Sequence, residues 1–73
     1  MLLNEYFTQL RENGYMIRSV YNHKEMYLKT VISKGGIKKE CIIDYPILAK
    51  DAVFLHKLMG TVEELDNELK ANN

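Results

Sequence analysis

Apolar positions recur along this chain with two different periods, and the change of period divides it into elements. Leu3, Phe7 and Leu10 fall at i, i+4 and i+7, with Leu2 and Tyr6 widening the stripe, which predicts a helix over residues 2–13. Asn13-Gly14 supplies its stop, because glycine takes the left-handed conformation that ends many helices. Residues 15–21 (YMIRSVY) and 26–33 (MYLKTVIS) are rich in aromatic and β-branched types and predict two strands around the short polar loop Asn22-His23-Lys24-Glu25. A third strand is expected over 37–44 (IKKECIID), after the turn Lys34-Gly35-Gly36-Ile37. A Gly-Gly pair suits a two-residue type I′ turn, which needs positive φ at both central positions.

That turn fixes a register. With Gly35-Gly36 as the loop, Lys34 faces Ile37, Ile32 faces Lys39, Thr30 faces Cys41 and Leu28 faces Ile43. Leu28, Thr30, Ile32, Cys41 and Ile43 then share one face, the expected core face. The opposite face carries Tyr27, Lys29, Val31, Ser33, Lys38, Glu40, Ile42 and Asp44, so that Tyr27, Val31 and Ile42 form an apolar set among charges. Beyond the strands, Pro46 predicts the start of a helix reaching about Met59, with Asp44 or Tyr45 at its cap. Its apolar residues form two stripes, Leu48, Ala52, Leu55 and Met59, and Ile47, Phe54 and Leu58, so it must be covered on more than one side by the last helix or by another chain. Gly60 reads as its end. Thr61-Val62-Glu63-Glu64 reads as a capping box opening a final helix over 62–71. The expectation is one α+β domain spanning residues 1–73: an N-terminal helix, a three-stranded antiparallel meander and two C-terminal helices (α-β-β-β-α-α) packed on the sheet. There is no repeat, low-complexity segment or linker.

Size and composition narrow the function classes. Seventy-three residues make one domain, and at this size a single core is marginal unless a disulfide, a metal or a partner assists. One cysteine, Cys41, allows no internal disulfide, and two histidines with one cysteine fall short of a four-ligand zinc site unless carboxylates join. The start of the chain has neither the basic residues nor the apolar run of an export signal, and no stretch is long enough to span a membrane, so a cytoplasmic setting is expected. Net charge is zero. Lys24, Lys29, Lys34, Lys38 and Lys39 make the middle mildly basic, while Glu63, Glu64, Asp66 and Glu68 make the tail acidic. A nucleic-acid-binding domain usually carries a stronger positive balance.

Catalytic chemistry finds little to build on. Cys41 falls on the inward face of a strand, where a thiol is a packing group rather than a nucleophile. His23 in the first loop and His56 beside Leu55 stand without the partner and pocket that a general base needs. Gly35-Gly36 precedes a strand and lacks a following Lys-Ser/Thr, so it is not a phosphate loop. The chain is therefore expected to be non-catalytic and to need no cofactor or metal. Its expected role is protein interaction, with another protein or with itself as a homodimer, through Tyr27, Val31, Ile42, Phe54 and Leu58. Two alternatives stand beside it. One is nucleic-acid binding through Lys34, Lys38, Lys39 and Lys50. The other is the sequestering of a small ligand such as a nucleotide between sheet and helix.

The order helix, three strands, helix over residues 2–59 resembles the double-stranded-RNA-binding domain, which implies that fold and a phosphate-holding lysine cluster at the start of the second helix. The corresponding stretch is Ile47-Leu48-Ala49-Lys50-Asp51-Ala52, where Lys50 alone matches. In size and style the chain also looks like the small accessory and inhibitor proteins of bacteriophages and mobile elements, anti-CRISPR proteins among them. Its eight lysines against two arginines, with frequent Asn and Ile, suit an AT-rich genome of that kind.

Overall fold

A computed structural model of the chain describes residues 1–44 and 50–72. Helix α1 (Leu3–Glu12) is followed by three strands, β1 (Met16–Asn22), β2 (Tyr27–Lys34) and β3 (Ile37–Asp44), and then by helix α2 (Asp51–Ala71). The strands form one antiparallel sheet in the order β1-β2-β3, and both helices pack on the same face of it. The expected α+β class, meander and helix-strand-strand-strand-helix order are all present.

The turn chemistry explains the register. Gly35 and Gly36 both have positive φ, 59° and 82°, so a two-residue turn joins β2 to β3. Lys34 then pairs with Ile37, Ile32 with Lys39, Thr30 with Cys41 and Leu28 with Ile43, as the sequence predicts. The β1–β2 turn is longer. Asn22 pairs with Tyr27, and its side-chain carbonyl accepts the backbone N–H groups of Lys24 and Glu25 at 3.0 and 2.9 Å. The loop closes through Met26, which takes a left-handed φ of 57°.

The core forms where the predicted inner face meets the helices. Thr30, Ile32, Cys41 and Ile43 are buried, and Leu28 is half-buried beside them. The Thr30 hydroxyl is satisfied by the Ser19 hydroxyl at 3.0 Å. Leu10 seals the core from α1, and Phe7 meets Phe54 of α2 edge-to-face with ring centroids 6.3 Å apart.

One expectation fails at the C-terminal end. The two helices predicted over 46–59 and 62–71 are a single helix within the described residues, running unbroken through Gly60 and Thr61. The Thr61 hydroxyl caps nothing; it donates to the Lys57 carbonyl one turn back, at 3.0 Å. Phe54, Leu58, Val62 and Leu65 are spaced by four, four and three residues, so one buried stripe crosses the supposed break. Burying Val62 and Leu65 outweighs the ~1 kcal/mol that a mid-helix glycine costs. The helix expected from Pro46 does not run through Lys50, which is extended (φ −77°, ψ 148°), so α2 begins at Asp51, and Asp44 closes β3 rather than capping a helix. Pro46 itself, the Tyr45 cap and the contributions of Ile47 and Leu48 lie outside the described residues.

A cheap test follows from this geometry. A Cβ built on Gly60 meets nothing within 4 Å, and the helix backbone already suits alanine. Gly60→Ala should therefore stabilise the fold by about 1 kcal/mol in a thermal or urea melt. A loss of stability would mean that the helix breaks there.

The last two turns of α2 are tied to the sheet. Tyr15 donates its hydroxyl to Asp66, Lys39 pairs with Glu68, and Leu69 lies against the Gly35 turn, where an added Cβ would come within 2.6 Å of its side chain. Among the described residues, no helix is long and apolar enough to cross a membrane.

Candidate protein-binding face

The sheet has a second face, which the described helices leave open. Pairing places Met16, Arg18, Val20 and Asn22 of β1 there beside Ser33, Val31, Lys29 and Tyr27 of β2, with Lys38, Glu40, Ile42 and Asp44 of β3 beyond them. Each cross-strand row mixes apolar and polar groups: Met16–Ser33–Lys38, Arg18–Val31–Glu40, Val20–Lys29–Ile42 and Asn22–Tyr27–Asp44. Met16 is 73% exposed, Val20 56% and Ile42 43%, apolar groups set among polar neighbours and left uncovered by the described residues. Val31 and Tyr27 are half-buried between their neighbours. Lys29 and Glu40 approach to 3.7 Å across this face, and a shallow depression of about 870 Å³ lies between Met16, Arg18, Val31, Ser33, Lys38 and Glu40.

Tyr27, Val31 and Ile42 therefore share one surface, as the turn register implies. Phe54 and Leu58 do not join it. Both are buried, Leu58 completely, under the same helix face that carries Val62 and Leu65. Because α2 is one long helix, its stripe seats on this chain's own sheet, and neither side chain is presented to a partner. The exposed apolar groups of α2 are instead Val53 and Met59. Met16, Arg18 and Val20 are the outer-face residues that sequence reasoning missed. Asn22, whose side chain folds the first loop, was the one signal at hand, but a loop of this length leaves the register open, and the facing of β1 follows from the Asn22–Tyr27 pairing itself.

The four lysines do not converge. Lys38 is exposed on the outer face, while Lys39, one residue on, points to the helix side and pairs with Glu68. That hydrogen bond, with the nearby carboxylates, raises the Lys39 pKa against a smaller opposing effect of burial. The Lys34 ammonium lies 4.4 Å from the Tyr15 ring centroid. Lys50 stands at the start of α2, whereas the hairpin tip meets Leu69 near the other end, roughly 28 Å away at about 1.5 Å per residue.

Cys41 and His23 are taken up by packing. Burial pushes the Cys41 thiol up, only partly offset by the Thr61 side chain and Lys57, and the sulfur sits in the core. His23 packs edge-to-face on Tyr21 at 4.9 Å, and His56 is exposed on α2. Between sheet and helices, the place a small-ligand site would take in the second alternative, Ile32, Leu58 and Leu65 have no exposed surface.

Burial, then the hydrogen bond to Asp66 and its negative charge, pushes Tyr15 up to about 12 from 10.0, and Tyr6 is raised by burial and the same carboxylate. Tyr15 and Tyr6 should thus ionise late when titrated by ultraviolet absorbance, and Tyr15→Phe should remove the later component. The folded state holds the Tyr15 proton more tightly than the unfolded chain does. Its contribution is complete below pH 10.0 and is lost as pH rises towards about 12. A Tyr15→Phe chain that keeps the wild type's late component unchanged would show that the Asp66 contact does not persist in solution.

No protein family, curated protein or solved structure matches this chain.

Proposed function

We propose that this chain is a small, non-catalytic protein-interaction domain that works in a cytoplasmic setting by occupying the surface of a larger protein, as an inhibitor or regulator of the bacteriophage type would. The observation that carries this reading is the open sheet face. It places Tyr27, Val31 and Ile42, with Met16 and Val20, on a rigid scaffold, ringed by charges of both signs. Apolar anchors in a polar rim are the anatomy of protein contact surfaces. The dispersal of Lys34, Lys38, Lys39 and Lys50 favours protein over nucleic acid as the partner, because a phosphate backbone is gripped by cations on one face. The test is a comparison of partner capture from host lysate by the wild-type chain and by a variant altered only on this face.

A further inference from the structure

The two edges of the sheet are built differently. In an antiparallel ladder, successive residues of an edge strand point their N–H and C=O groups alternately into the sheet and out of it. The two-residue turn makes Lys34 and Ile37 a hydrogen-bonded pair, so the outward residues of β3 are Lys38, Glu40, Ile42 and Asp44. The same alternation, carried across β2, makes Ile17, Ser19 and Tyr21 the outward residues of β1.

The β3 edge is guarded. Lys38, Lys39, Glu40 and Asp44 put charge along it, and the Lys57 ammonium donates to the outward carbonyl of Ile42 at 3.1 Å. The β1 edge has no such protection. Arg18 is its only charged residue, Ser19 at its centre is exposed, and among the described residues no hydrogen bond reaches the outward backbone groups of Ile17, Ser19 and Tyr21.

We propose that β1 pairs antiparallel with β1 of a second copy about a two-fold axis through Ser19, giving a six-stranded sheet. The strand's own pattern selects this occupant. Its three outward residues are symmetric about Ser19: Ile17 meets Tyr21 of the second copy, Ser19 meets Ser19 and Tyr21 meets Ile17, three pairs of two backbone hydrogen bonds each. On the helix side this sets half-buried Ile17 against half-buried Tyr21. On the outer face Arg18 falls opposite Val20 of the second copy, and Met16 opposite Asn22, so no like charges meet. Slipping the pairing by two residues one way sets Arg18 against Arg18; slipping it the other way leaves only two hydrogen-bonded pairs. The axis lies perpendicular to the sheet, so the two outer faces join into one continuous surface. This inference extends the protein-interaction reading and is read on purified protein alone, so its failure leaves contact with a different protein to its own test.

Sedimentation equilibrium on the purified chain at micromolar concentration is expected to show a dimer. Val20→Lys, at an exposed position, sets two Lys–Arg repulsions across the axis and should weaken self-association about tenfold or more. Adding Arg18→Glu should restore it by converting both repulsions into attractions, with the helical and strand circular dichroism unchanged throughout. In the wild-type chain, the amides of Ile17, Ser19 and Tyr21 should exchange slowly with solvent and lose that protection on dilution. A wild-type monomer whose three amides exchange freely overturns the proposal, as does a Val20→Lys chain that dimerises as tightly as wild type.

Discussion

Replacing Leu58 by alanine should remove about 2–5 kcal/mol of stability, the range for a fully buried leucine whose site cannot collapse. Leu58 has no exposed surface and belongs to the cluster that joins Ile32, Cys41 and Ile43 of the sheet to Phe54 and Leu65 of α2. A 73-residue domain has a total stability of about 4–11 kcal/mol, and this one has no disulfide to draw on. The substitution therefore takes away a large fraction of what holds the chain folded. Urea unfolding should show a much lower midpoint at an unchanged slope. Exposed Met59, the next residue along the same helix, gives the contrast: Met59→Ala should cost little. Equal costs at the two positions would mean that α2 seats on the sheet through a different face.

How much of this was legible in the sequence depended on how tightly each local signal constrains the chain. Gly35-Gly36 constrains it strongly, because a two-residue turn admits one register, and the facing of every β2 and β3 side chain follows from it. The Asn22–Tyr27 turn constrains less. A loop of several residues permits more than one register, so the facing of Met16, Arg18 and Val20 emerged only with the pairing itself. At Gly60-Thr61 the local signals pointed the wrong way. Both residues suit a helix boundary, but their preference is worth about 1 kcal/mol, and the buried stripe running through Leu58, Val62 and Leu65 outweighs it. Phe54 and Leu58 were expected at a docking surface because the helix predicted over 46–59 is apolar on two sides; in the fold they lie in the buried stripe that α2 seats on the sheet. The lysines show what sequence proximity hides. Lys38 and Lys39 are adjacent, yet strand geometry sends them to opposite faces, and Glu68, far along the chain, claims the second.

The other large effect belongs to the open sheet face. Ile42 lies opposite Lys29, so Ile42→Glu gains a favourable cross-strand pair in the free chain, and Val31→Gln keeps a side chain of useful length between Arg18 and Glu40. Neither residue belongs to the buried core, so the double variant should fold as the wild type does. In a complex the same changes remove two apolar anchors and bury a carboxylate, each at the scale of a hot-spot loss, and together should weaken binding about 100-fold or more. The direct measurement is the affinity of the wild-type chain and of this double variant for the protein that the wild-type chain retains from host lysate, with circular dichroism confirming both folds. A loss of about 100-fold in a folded variant is the predicted result. Equal affinity for the two chains would contradict the central claim and place the contact on another surface of the molecule.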